Sequence, residues 1–156
     1  MATARLIAIA DALVDALNVA TFSVVFVAAR RHDVRLDLAA GVDRAVYVLP
    51  GAVGSDLLAS ATIQWDHRLW LITAVRYDEA ADLWDEDTGR MALERLDEQV
   101  LLYEELARWL LTTAIDGAEP VTVEGIDSDR CYALDWADAT GIHMLGMQVT
   151  YREVGA

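Results

Sequence analysis

The sequence predicts an α+β fold, a mostly antiparallel sheet with two main helices packed on one face. Three observations lead there. Two stretches carry apolar residues at helical spacing, one at the N-terminus and one past the middle of the chain. Between and after them lie short runs rich in β-branched and aromatic residues, the composition of strands. The order is helix, strands, long helix, strands, without the regular alternation of a parallel α/β sheet. A chain of 156 residues suits one domain spanning 1–156, because two would each be too small to bury a sound core.

The first helix is expected from a Thr3 cap to about Asn18. Leu6, Ile9, Leu13 and Leu17 share a face, while Asp11 and Asp15 point away. Residues 21–27, Thr-Phe-Ser-Val-Val-Phe-Val, read as a strand. Residues 30–37 are polar with Val34 and Leu36 alternating, an extended arm or a second short strand, and Gly41-Val42-Asp43 reads as a turn. A strand over 44–49 is expected to stop at Pro50-Gly51 and give way to a loop over 51–58. Residues 61–65 and 69–77 flank Asp66-His67-Arg68 as an antiparallel hairpin, and the nearly continuous apolar run of the second arm marks it as a central strand. Residues 78–87 hold six acids in ten positions and read as a solvated loop anchored by Leu83 and Trp84. A long helix follows over 89–114. Its core stripe is expected along Leu93, Leu96, Val100, Tyr103, Ala107, Leu110 and Ala114, with Gly117 and Pro120 as the stop. Residues 120–124 form a short strand, 127–141 is turn-rich, and 142–151 is the last strand.

Composition narrows the functions. Hydrophobic residues make up 55% and charged residues 24%, as in a folded soluble protein. No apolar run approaches the roughly 20 residues of a membrane-spanning helix. Asp11 and Asp15 break what would otherwise resemble a signal peptide. Cys131 is the single cysteine, so no internal disulfide forms. Twelve basic residues, all arginine, oppose 26 acids for a net charge of −14. Such a surface repels phosphate, and only Arg30-Arg31, with Arg35 nearby, approaches a basic cluster. Five tryptophans are many for this length. Trp109 and Trp70 are expected in the core; for Trp65 and Trp84, core packing and subunit contact stay open, since aromatic rings are enriched at interfaces.

No catalytic, cofactor or metal site is expected. His32, His67 and His143 stand in no ligand spacing. Asp85-Glu86-Asp87-Thr88-Gly89 begins like a calcium loop, but its glycine falls one place early and position twelve is Leu96, so an acidic loop before a helix N-terminus is the better account. Asp135 and Asp138 fit turn chemistry, and Gly51-Ala52-Val53-Gly54-Ser55 lacks the lysine of a phosphate loop. Arg30 and Arg31 are either partners for a neighbouring subunit's acids or simply solvated. Together with Trp65, Trp84, Asp85 and Asp87 they make up the candidate subunit-contact residues.

The element order and several short signatures resemble one family. They are the Ile7-Ala8-Ile9-Ala10-Asp11-Ala12-Leu13 helix, the proline-ended strand Val46-Tyr47-Val48-Leu49-Pro50, and the long strand over 70–77 followed by a connection and an amphipathic helix near Leu93. The closing strand Met147-Gln148-Val149-Thr150-Tyr151-Arg152 completes them. Nearly the whole chain is similar to the tail-terminator proteins of long-tailed bacteriophages, and more broadly to minor tail and head–tail joining proteins. The acidic 78–87 segment is longer and more charged than that resemblance implies. The resemblance implies a structural virion protein rather than an enzyme, a homo-oligomeric ring, typically a hexamer. Assembled in the host cytoplasm, it would sit at the tail–neck junction, stop polymerisation of the tail-tube protein and meet a neck or head-completion protein. DNA would pass through the lumen without specific binding, and a carboxylate-rich wall would keep it from sticking. Two alternatives stay open, another head–tail connector or tail-completion protein, and a small α+β domain binding a ligand or peptide.

Overall fold

The computed structural model describes residues 3–32, 42–59, 62–76, 84–85, 90–91, 93–126 and 142–155. The elements run α1 (Arg5–Val19), β1 (Val27–Arg30), β2 (Arg44–Ala59), β3 (Thr62–Arg76), β4 (Trp84–Asp85), β5 (Arg90–Met91), α2 (Leu93–Thr112), β6 (Glu119–Ile126) and β7 (Ile142–Gly155). Five strands form one sheet in the order β1-β2-β3-β7-β6, antiparallel except for β1 and β2, and β4 pairs separately with β5. The protein is α+β, as its residue pattern predicts, and β3 is the central strand.

Both helices lie on one face of the sheet. Ile9, Ala10, Leu13 and Leu17 of α1 and Leu102, Leu106 and Leu110 of α2 share a buried cluster with Val46, Val48, Leu69, Leu71, Met147, Val149 and Tyr151. Side chains alternate along a strand, so these sheet residues all project from the helix-bearing face. Each fully buried Leu or Ile contributes about 1.5–3 kcal/mol, which makes this layer the main source of stability. The opposite face holds a smaller cluster, Ala45, Tyr47, Leu49 and Ala74, flanked by Ile72, Ile142 and Met144. Apolar burial on both faces explains the uninterrupted hydrophobic run in β3.

Several expectations are corrected. Thr3 does not cap α1: Ala4 holds the N-cap position without a side-chain bond. The helix ends at Val19, one residue past Asn18, as expected, but the Asn18 side chain does more than mark its end. Its amide oxygen accepts from Ala28 N at 2.9 Å and its amide nitrogen donates to Ala28 O at 3.1 Å, closing the outer edge of β1. Residues 21–26 are not strand. Phe22 packs on Phe26 and on Trp109, with ring centroids 5.2 and 5.8 Å apart, so this segment crosses to α2 before β1 begins at Val27.

Pro50-Gly51 does not stop β2, and 51–58 is strand rather than loop. Arg31 N donates to Val48 O, which shows that the main-chain groups of Val48 face the β1 side. Two residues on, Pro50 faces that same side beyond the end of β1, where no N–H is needed. The ladder shifts between Pro50 and Ala52, leaving Gly51 as the extra residue of a bulge. A Cβ at Gly51 would stand 2.8 Å from Arg68 O, so only glycine fits.

Asp66-His67-Arg68 is not a turn. β3 pairs with β7 without a break from Ile63 to Arg76. The polar triplet sits mid-strand because β7 answers it: Arg152 grips Asp66, and Glu153 meets His67. Helix α2 begins at Leu93, four residues later than expected, because Arg90–Met91 form a short ladder with Trp84–Asp85. Of its expected stripe Leu110 is buried, but the line runs on through Leu106, Leu102 and Gln99, while Val100, Tyr103 and Ala107 are half-buried and Ala114 is exposed; the side chains of Leu93 and Leu96 lie outside the described residues. Leucine, tyrosine and tryptophan occur around most of this helix, so periodicity alone selects its buried line poorly. Trp70, expected in the core, is 42% exposed on the face opposite the helices. Residues 33–41 and 127–141, with Cys131, Asp135, Trp136 and Asp138, lie outside the described residues, as do Val34, Arg35, Leu36, Gly41, Leu83 and Asp87.

Candidate subunit interface

The sheet is longer than its helical cover. β2, β3 and β7 have 16, 15 and 14 residues. At about 3.4 Å per residue, each spans on the order of 50 Å. The 15 residues of α1 cover only about 22 Å at 1.5 Å each. The shortfall appears at the β2–β3 hairpin end.

A polar network marks the point where cover ends. Arg5, the first residue of α1, donates through Nε to Glu153 Oε1 at 2.8 Å and also ion-pairs with Asp116. His67, 3% exposed, places Nε2 3.0 Å from Glu153 Oε2. Hydrogen bonding from Arg5, and secondarily from His67, lowers the Glu153 pKa against a desolvation penalty acting the other way. Asp116 and Gly117 adopt positive φ, 50° and 82°, and their turn returns the chain from α2 to β6. The network thus joins α1, β3, β7 and the α2–β6 turn. Opposite His67 on β7, Tyr151 is fully buried, its hydroxyl without a hydrogen-bond partner among the described residues, and burial raises its pKa.

Beyond this network the helix-bearing face is open. Val53 is 47% and Trp65 38% exposed there. Trp65 stands opposite Glu153 on β7 and Ser55 on β2. On the reverse face Trp70 is exposed, flanked by Gln148 and Leu49 in its row and by Arg68 in the next. A further row along, Arg152 binds Asp66 through Nε and Nη2 at 2.7 and 3.0 Å, which lowers the Asp66 pKa.

The remaining candidate residues are placed as follows. Arg30 ion-pairs within the chain, its Nε 2.8 Å from Asp11. Arg31 lies over the Tyr47 ring, 4.6 Å from its centroid. Trp84 and Asp85 belong to the ladder with β5, away from Trp65 in the topology. Neither Arg30 nor Arg31 is grouped with Trp65, whereas Asp87 and the side chains of Trp84 and Asp85 lie outside the described residues. The companions it supplies instead, Val53, Arg5, Glu153 and Asp116, come from four separate parts of the chain. Reading 62–76 as one strand would have supplied one signal: Trp65 and Trp70 differ by an odd number and must face opposite ways.

Two clefts also open on the helical side. One, about 420 Å³, is lined by Thr21, Phe22, Ser23, Glu105, Arg108 and Trp109; Ser23 binds Glu105 through both its amide and its hydroxyl and lowers the Glu105 pKa. The other, about 520 Å³, runs between residues 23–27 and α2 and has the Arg44–Glu98 pair, 3.0 Å, in its wall. Among the described residues no group of three or more His, Cys, Asp or Glu could hold a metal ion, and no helix is long and apolar enough to cross a membrane.

The class that this fold defines is an α+β protein with helices on one face of a long antiparallel sheet. No protein-family model matches the chain, and no curated protein is significantly similar to it in sequence.

Proposed function

We propose that this chain is a structural subunit of a bacteriophage tail, which assembles with copies of itself into a ring, six-membered by resemblance, at the tail–neck junction. The ring caps the tail-tube protein, stops its polymerisation and offers its other side to a neck or head-completion protein. One observation carries the reading: a well-packed fold leaves a tryptophan exposed on each face of β3. Exposed aromatic area beside a sound core marks a contact surface. The resemblance in element order supplies the tail context, and the net charge of −14 suits a channel through which DNA slides without binding. Another connector or tail-completion protein would use the same surface.

Two measurements test this. Light scattering of the purified protein, alone and with tail-tube protein, should show a discrete multimer or one that forms on tube ends. Virions lacking the protein should carry overlong or headless tails in electron micrographs, and tails of normal length would sink the termination role. The cleft lined by Phe22, Trp109 and the Ser23–Glu105 pair favours a second reading, a small ligand- or peptide-binding domain. A strict monomer with saturable ligand binding would select it.

A further inference from the structure

We infer that the larger cleft, between residues 23–27 and α2, docks an extended segment of a partner protein that carries apolar side chains flanked by arginine or lysine. The inference holds whether or not the chain forms a ring. The cleft measures about 520 Å³, within the range of roughly 300–1,000 Å³ in which pockets take apolar groups. Its apolar wall is bare: Val25 is 89%, Val27 52% and Leu101 42% exposed, and all three line it. Exposed apolar side chains scattered singly need no account, but three around one concave site mark a contact. The wall also offers main chain. Val25 lies outside every strand, and its N–H and C=O make no hydrogen bond among the described residues. Asn18 closes the edge three residues on, at Ala28, so the opening is confined to the cleft. An extended chain can bond there while its alternate side chains enter the cleft.

Charge selects the occupant. Asp43, Arg44 and Glu98 line the cleft, and Arg44 pairs with Glu98. Asp97 lies one helical turn before Leu101 on the same side of α2. Glu105, one turn after Leu101, is held by Ser23. The other arginine close by, Arg76, donates to the carbonyl of Val42. Further along α2, Glu104 and Arg108 offset each other. On β1, Arg30 turns to Asp11 and Arg31 lies over Tyr47. Four carboxylates around the cleft thus meet two guanidiniums. The carboxylates of Asp43 and Asp97 have neither an ion pair nor a hydrogen bond among the described residues. This excess attracts a cation and repels phosphate, which selects a basic protein segment over nucleic acid or an anionic lipid. A second copy fits poorly, because the chain itself carries a net charge of −14.

The test is an amide chemical-shift titration of the full chain with a synthetic peptide of alternating leucine and arginine. Two control peptides carry glutamate in place of arginine, or serine in place of leucine. The first peptide should bind saturably, with its largest shifts in residues 23–27 and around Leu101, and neither control should bind. Leu101→Gln should weaken binding at least about tenfold, and so should Asp43→Asn combined with Asp97→Asn. All three side chains are exposed, and Val25→Gln repeats the apolar test should Leu101→Gln melt early. Asp56→Asn with Glu119→Gln removes the same charge from sites remote on the sheet and should bind like the native chain. Absence of saturable binding, largest shifts elsewhere, binding of the glutamate control, or equal weakening by the remote pair would each overturn the inference. Equal weakening in particular would reduce it to an effect of net charge.

Discussion

Asn18, at the end of α1, holds the main chain of Ala28 from both sides, accepting from its N–H at 2.9 Å and donating to its carbonyl at 3.1 Å. A side-chain amide here takes the place of a neighbouring strand. β1 is an edge of the sheet, and an open edge is a template for unwanted pairing. Asn18→Ala should leave both groups of Ala28 without these bonds and cost about 1–3 kcal/mol. Urea denaturation would measure the loss, and light scattering should show non-stoichiometric aggregation. Unchanged stability would mean that water replaces the amide fully.

Gln99 offers the opposite case. It is fully buried on α2, and neither amide atom has a hydrogen-bond partner among the described residues. A buried amide without partners is a standing cost, so Gln99→Met, close in volume, should stabilise the protein by about 1–3 kcal/mol. A rise in the denaturation midpoint at unchanged slope is the expected result. A fall would show that the amide has a function inside the fold.

Gly51 and Gly54 make a matched pair. A Cβ at Gly51 meets the Arg68 carbonyl at 2.8 Å, and backbone cannot swing aside as a side chain can. Gly51→Ala should therefore destabilise by about 1–3 kcal/mol. Gly54 has nothing within 4 Å of a built Cβ, so Gly54→Ala should stay within about 0.5 kcal/mol. Equal effects from the two would refute the bulge as the reason for glycine.

Acid should loosen the α1–β7 junction. The Glu153 carboxyl is held below its ordinary 4.5, first by the Arg5 hydrogen bond. A depressed folded-state pKa contributes stability that is full above the unfolded value and is lost as pH falls through the folded one. Glu153→Gln should thus be less stable than the native chain at pH 7, and the gap should close as pH drops below about 4.5. Asp66 and Glu105 are depressed too, so the native chain itself should weaken over the acid range. A gap that is constant with pH would show that Glu153 acts through packing rather than charge.

Much of the architecture is legible in local patterns. The α1 stripe of Ile9, Leu13 and Leu17 is buried as its spacing implies, and the apolar run of β3 does mark the central strand. Local signals fail where a distant partner changes their meaning. Asp66-His67-Arg68 reads as a turn until Arg152 and Glu153, some 86 residues away, satisfy its charges within a strand. Pro50-Gly51 reads as a stop until the open edge beside it makes the missing N–H harmless.

The exposed tryptophans divide in the same way. Hydrophobic periodicity, charge and tryptophan content are properties of the chain itself, and the first of them is enough for the fold class and the helix-bearing face. Which tryptophans stay exposed depends on how far α1 reaches along the sheet and on the register of β3 against β7. Both are set by packing between segments remote in sequence, because burial and strand pairing are long-range interactions that no local pattern records.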